Sequence, residues 1–131
     1  DTRESSAINI CKDLLEEGAI LYIHDPKVNS LKISNDLGKS ENLKLKNQTI
    51  HDGFNYEGEW VFSDNLSDGF INADAVVVLT EWVEYSNINW IERSKSMRHP
   101  GWVFDARSII NPKEIRNANL KFWRIGDGAS M

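Results

Sequence analysis

Ala73-Asp74-Ala75-Val76-Val77-Val78-Leu79-Thr80-Glu81-Trp82 carries four consecutive aliphatics, Val76 to Leu79, with no polar alternation. Such a run predicts a strand over 75–80 buried on both faces, as found mainly in parallel sheets covered by helices on each side. The run then turns abruptly polar at Thr80 and Glu81. Polar chemistry is thereby set at the strand's carboxyl end, where open α/β sheets bind ligands.

Working outward from this strand, elements of both periods alternate. Asp1 and Glu4 have the spacing of a capping box, and Ala7, Ile8, Cys11, Leu14 and Leu15 follow at helical spacing. Gly18 stands where a left-handed helix terminus needs glycine. Ala19 to His24 reads as a strand stopped by Asp25-Pro26. Leu31 to Leu37 fits a short helix, whereas 38–59, rich in Asn, Lys and Gly, has no sustained period and is expected as a surface insertion. Trp60-Val61-Phe62 reads as a strand, 64–72 as a helix capped by Ser63 or Asp64, and 85–97 as a helix with Ile88, Trp90 and Ile91 inward. Gly101 to Asp105 is the next strand, Asn111-Pro112 opens a helix with proline at its first position, and Lys121 to Ile125 closes the series. The alternation implies an α/β fold, a doubly wound and mainly parallel sheet with helices on both faces.

The 131 residues suit one domain. With 15 basic against 20 acidic residues, the net charge of −5 argues against a nucleic-acid surface. No apolar run reaches the roughly 20 residues of a membrane span, so no membrane partner is expected. Cys11 is the sole cysteine, which excludes an intrachain disulfide and makes the cytoplasm the expected compartment. It falls on the apolar face of the first helix and reads as a small buried hydrophobe. His24, His51 and His99 lack ligand spacing, so no metal site is expected. Nor is there a phosphate loop or a nucleophilic triad.

Candidate chemistry concentrates at strand ends. Arg107 follows the 101–105 strand and could offer its planar fork to a phosphate or a base carbonyl; the alternative is an ion pair with Asp105 or another surface carboxylate. Arg3, in the first helical turn, could strengthen an anion site or simply be solvated beside Glu4. Glu81, next to Thr80, could accept from a ribose or serve as a capping carboxylate. Asp25 could bind a ribose but lacks the accompanying glycine-rich turn, and Asp25-Pro26 is equally a turn signal. No catalytic residue emerges from the residues alone.

Four blocks in order, Asp1-Thr2-Arg3-Glu4-Ser5-Ser6, Tyr22-Ile23-His24-Asp25-Pro26-Lys27-Val28, Ala73 to Trp82 and Val103-Phe104-Asp105-Ala106-Arg107, resemble the C-terminal UDP-binding domain of the UDP-glucose/GDP-mannose dehydrogenase family. UDP-glucose 6-dehydrogenases are the members most resembled. The resemblance runs from residue 1 to about 126, interrupted at 38–59. It implies a Rossmann-like domain of an NAD-dependent enzyme that oxidises UDP-glucose to UDP-glucuronate in two steps, the catalytic cysteine and the NAD-binding domain lying elsewhere in the enzyme. It further implies that Arg107 contacts the UDP-sugar and that Arg3 reaches NAD; Thr80, Glu81 and Asp105, from their strand-end positions, are expected at the edge of the site. The implied partners are the N-terminal and central domains of the same enzyme and further copies in a homodimer or higher oligomer.

Two departures are visible. Ala106 stands where the family has glycine, and the family's first strand, with its nucleotide-contacting phenylalanine and lysine, has no counterpart before Asp1. The expectation is therefore an excised fragment, inactive alone. Rival readings are a domain of a GDP-mannose or UDP-N-acetyl-hexosamine dehydrogenase, or a stand-alone nucleotide-binding or interaction module.

Overall fold

The computed structural model describes residues 2–47 and 57–125, with side chains from Ser6 onward. The side chains of the expected capping box, Asp1 and Glu4, lie outside what is described. Two compact units are present, Asp1–Gly69 and Phe70–Met131. All strand pairings are parallel, in sheets of two and three strands, and helices alternate with the strands, consistent with a Rossmann-like α/β domain. No helix among the described residues is long and apolar enough to cross a membrane.

In the first unit, α1 (Thr2–Glu16) leads into β1 (Ile20–Ile23). Gly18 makes the turn between them at φ +89°, and the Gly18 and Ala19 amides close onto Leu15 and Leu14 carbonyls, each at 3.0 Å. Only glycine takes that conformation without cost, as the sequence predicts. Next, α2 (Ser30–Leu37) is capped by the Asn29 side chain and ended by Gly38 at φ +69°. It packs on α1. β2 (Glu59–Phe62) runs parallel to β1, pairing Ile20 with Glu59 and Ile23 with Phe62.

Within the stretch expected as an insertion, residues 39–47 lie along β2. The Asn42 amide donates to the Trp60 carbonyl at 2.7 Å, the Phe62 amide to Glu41 Oε1 at 3.1 Å, and Trp60 Nε1 to the Lys39 carbonyl at 2.8 Å. Leu45 is fully buried in a 3₁₀ turn, Leu43–Lys46, whose carbonyl at Leu45 accepts from Tyr22 Oη. The segment thus occupies hydrogen-bonding groups that a bare β2 edge would expose.

Gly58 precedes β2 where its backbone crosses the end of α1. A Cβ there would overlap the Leu15 carbonyl oxygen and lie 2.6 Å from Leu15 Cα. Both neighbours are main chain and cannot swing away. Gly58→Ala is therefore expected to lower stability by about 3 kcal/mol, the upper part of the overpacking range. The unfolding midpoint in urea checks this, with Gly38→Ala as a comparison in which φ, not crowding, is at stake.

In the second unit, β3 (Ala75–Val78), β4 (Trp102–Asp105) and β5 (Lys121–Arg124) pair in that order. One face is core, with Val78, Val103 and Phe122 buried. The other carries Val77 at 40% exposure, Phe104 stacked on Trp102 at 5.4 Å, and Trp123 tilted against Phe104. The expectation that 76–79 is buried on both faces is therefore corrected: β3 alternates between an open and a buried side. Its sole strand partner among the described residues is β4, so the aliphatic run reflects β-branched strand preference as well as burial.

Two helix expectations also change. Residues 66–70 form a 3₁₀ turn, not an α-helix over 64–72; the Asn65 carboxamide binds the Ser67 amide and hydroxyl, and Gly69 follows. The 85–97 helix divides into a 3₁₀ turn, Val83–Asn87, and α3 (Trp90–Ser94), which Asn89 caps afresh. Trp90 is buried against Phe70 as expected, whereas the restart leaves Ile91 exposed. By contrast, α4 (Pro112–Asn117) begins at Asn111-Pro112 as predicted and packs on β5 and α3.

Candidate functional site

The carboxyl ends of β3 and β4 lie side by side because Val78 and Asp105 are register partners, and the Ala106 amide still bonds to the Val78 carbonyl at 3.0 Å. Each strand then delivers a charged residue just beyond its last pair: Glu81 from β3 and Arg107 from β4. The two meet, with Arg107 Nη2 donating to Glu81 Oε1 at 3.2 Å. The expected alternatives for Arg107 included an ion pair with Asp105. Asp105 instead binds the main chain, and the guanidinium turns to Glu81.

Asp105 is the keystone of this loop. Its carboxylate is fully buried. Oδ1 accepts from the Arg107 amide at 2.9 Å, and Oδ2 accepts from the Ile109 and Ile110 amides, both at 2.8 Å. Its own carbonyl accepts from the Ile125 amide at 3.2 Å. Three charge-assisted bonds thus fold residues 105–110 into one fixed turn, including Ser108 at the left-handed φ of +58°. The sequence placed Asp105 at the site's edge; its position beneath the loop explains how the edge keeps its shape. Ala106, in the family's glycine position, is absent from the residues at positive φ, so alanine is accommodated there without strain.

Arg107 is partly buried, with a side-chain exposure of 29%. Its Nε is buried and has no hydrogen-bond acceptor among the described residues. A buried donor without an acceptor costs about 1–3 kcal/mol; the exposed part of Arg107, and so the part a ligand can reach, lies on its other atoms. Thr80 stands half-buried beside Glu81. Arg3 falls in the first turn of α1, and its side chain lies outside the described residues.

A second strand-end feature lies in the first unit. A shallow cavity of about 380 Å³ opens at the carboxyl ends of β1 and β2, lined by His24, Asp25, Lys27, Asn29, Phe62 and Asp64. Asp25 Oδ1 accepts from the Lys27 and Val28 amides at 2.8 and 3.1 Å, which fixes the turn read from Asp25-Pro26. Cys11 is buried, and burial pushes its thiol up to about 11, which favours the protonated thiol near neutrality.

Residues 1–112 match the family model described as UDP-glucose/GDP-mannose dehydrogenase family, UDP binding domain. Among curated proteins, the chain is 36% identical to UDP-glucose 6-dehydrogenase of Caenorhabditis elegans over 126 residues, covering 96% of this chain and 24% of that protein. It is 37% identical over 135 aligned positions to UDP-glucose 6-dehydrogenase of Pongo abelii, covering 99% and 25%. Identity to the Drosophila melanogaster UDP-glucose 6-dehydrogenase is 32% over 129 residues, covering 96% and 25%. The chain thus spans about a quarter of the length of these relatives. The chain belongs to the UDP-glucose/GDP-mannose dehydrogenase family and corresponds to its UDP-binding domain.

Proposed function

We propose that this chain is the UDP-binding C-terminal domain of a UDP-glucose 6-dehydrogenase, which oxidises the C6 alcohol of UDP-glucose to the carboxylate of UDP-glucuronate with NAD. The observation that carries the reading is Arg107: a partly exposed guanidinium held by Glu81 at the strand ends, on a backbone fixed by Asp105. A nucleotide diphosphate or pyrimidine carbonyl accepts from its exposed donors. Arg107 then binds and orients the nucleotide end of the substrate, while Thr80, Glu81 and Asp105 shape the edge against which it rests.

NAD supplies the hydride acceptor in each of the two oxidation steps. The described residues do not make a dinucleotide site of their own, since the glycine-rich turn such a site needs is absent from the sequence. Arg3, at the start of α1, is the residue of this chain that would approach the dinucleotide, its cation added to the positive end of the helix. The chemistry resides in other domains of the dehydrogenase, so this chain alone is expected to reduce no NAD. A homodimeric or larger assembly in the cytoplasm completes the reading.

NAD reduction by the complete dehydrogenase with UDP-glucose, UDP-N-acetylglucosamine and GDP-mannose tests the substrate. UDP-glucose is expected to give a kcat/KM at least about 100-fold above the other two, which is about 2.7 kcal/mol of transition-state discrimination. Comparable turnover of either alternative would move the assignment to another member of the family.

A further inference from the structure

We propose that Glu81 is a positioning residue for nucleotide binding: its carboxylate holds Arg107 Nη2 and so sets the plane of the partly exposed guanidinium before the ligand arrives. The proposal rests on the reading of Arg107 as the nucleotide-binding residue and adds the device that prepares it.

The two ends of Arg107 are held by different groups. Its amide is fixed by the buried Asp105 carboxylate at 2.9 Å, and its guanidinium is tethered 3.2 Å from Glu81 across the β3–β4 strand ends. Between these anchors lie the flexible methylenes, which would otherwise sample many rotamers. A guanidinium has five N–H donors in a rigid plane, so fixing one terminal nitrogen restricts the direction of the others. The contact to Glu81 is single and longer than the 2.7–2.9 Å typical of strong charge-assisted bonds. Both partners are partly exposed, at 29% and 39%. A pair of this kind contributes little to folding. Its geometric effect is larger, because a rotamer-rich side chain ordered in advance need not be ordered on binding.

The opposite role, a carboxylate that occupies Arg107 and competes with an incoming anion, predicts the reverse sign. In that case removal of Glu81 tightens nucleotide binding. The geometry favours positioning: one 3.2 Å contact at Nη2 occupies a single corner of the planar fork and leaves its other exposed donors to the ligand.

The test is a double-mutant cycle in the complete dehydrogenase, with UDP binding measured by calorimetry for the unsubstituted protein, Glu81→Ala, Glu81→Gln, Arg107→Ala and the Glu81→Ala/Arg107→Ala double variant. Glu81→Ala is expected to weaken UDP about fivefold, the effect of one side chain left to be ordered by the ligand. Glu81→Gln keeps an acceptor oxygen in place and is expected to stay within about twofold of the unsubstituted protein. In the Arg107→Ala background the Glu81 substitution is expected to have no further effect, since coupled residues are non-additive. Tighter binding in either Glu81 variant overturns the proposal. So does a Glu81→Ala loss that persists without Arg107, and so does a Glu81→Gln variant as weak as Glu81→Ala. If Arg107→Ala itself leaves UDP affinity unchanged, the reading of Arg107 fails first, which separates that failure from a failure of Glu81.

Discussion

Asp105→Ala is expected to lower the unfolding free energy by about 4 kcal/mol, since it leaves the buried amide of Ile110 and the partly buried amides of Arg107 and Ile109 without their shared acceptor. Each of the three is a bond to a charged group, and such bonds contribute about 1.5–3 kcal/mol; partial relaxation of the loop keeps the total below their sum. Asp105→Asn separates charge from shape. The amide oxygen can replace one carboxylate oxygen, but the NH₂ group then faces amide hydrogens it cannot accept, so a loss of about 3 kcal/mol is expected. As a comparison, Asp74 is exposed and pairs with the exposed Arg98 at 3.4 Å; Asp74→Ala is expected to change stability by less than about 0.5 kcal/mol. Urea unfolding with m-values held equal checks all three. A loss for Asp105→Ala no larger than that for Asp74→Ala would mean that the loop carries its own shape. The same substitution is expected to weaken UDP binding, because the Arg107 backbone loses its anchor.

What sequence reveals at this site divides by the range of the interactions. The Gly18 terminus, the Asn111-Pro112 helix start and the strand at Trp60 are set by residues within a few positions, and periodicity or turn chemistry predicts them. The helix at 85–97 is misjudged because one local event, the Asn89 cap, restarts the phase: Trp90 is buried as expected, but Ile91 turns outward. Leu45 is buried by long-range bonds, from Tyr22 Oη to its own carbonyl and from the Asn42 amide to Trp60, that no pattern within 39–47 discloses.

The candidate site shows the same division. Strand-end position alone singles out Arg107, Glu81 and Asp105, since each follows or ends an aliphatic run. Their partners are not legible. Arg107 and Glu81 are 26 positions apart and meet only because β3 and β4 are neighbours in register. Asp105 is two residues from Arg107, which makes an ion pair the natural sequence reading, yet a fully buried carboxylate surrounded by amides is better satisfied by main chain. The spacing Asp-x-Arg after a strand therefore signals a loop built by the acid, with the base carried on it.

Arg107→Ala is expected to raise the Kd for UDP about 100-fold, equivalent to about 2.7 kcal/mol. A charge-assisted contact to a desolvated acceptor contributes about 1.5–3 kcal/mol, and Arg107 has the partial burial and fixed backbone that place it near the upper end. In the complete dehydrogenase the KM for UDP-glucose is expected to rise while that for NAD changes less than about twofold, because uniform binding lost on one substrate leaves the other untouched. Arg107→Lys sharpens the test. Lysine keeps the charge but has no Nε–H in the plane of a guanidinium, so a purely electrostatic role predicts near-complete rescue, whereas a directed donor predicts that a loss of about tenfold remains. The geometry favours the second outcome: Glu81 holds one corner of the planar fork at Nη2, and an ammonium lacks the fork that would present further donors in the same plane. If Arg107→Ala bound UDP as the unsubstituted protein does, the strand-end pair would be a surface ion bridge and the nucleotide would have to be held elsewhere.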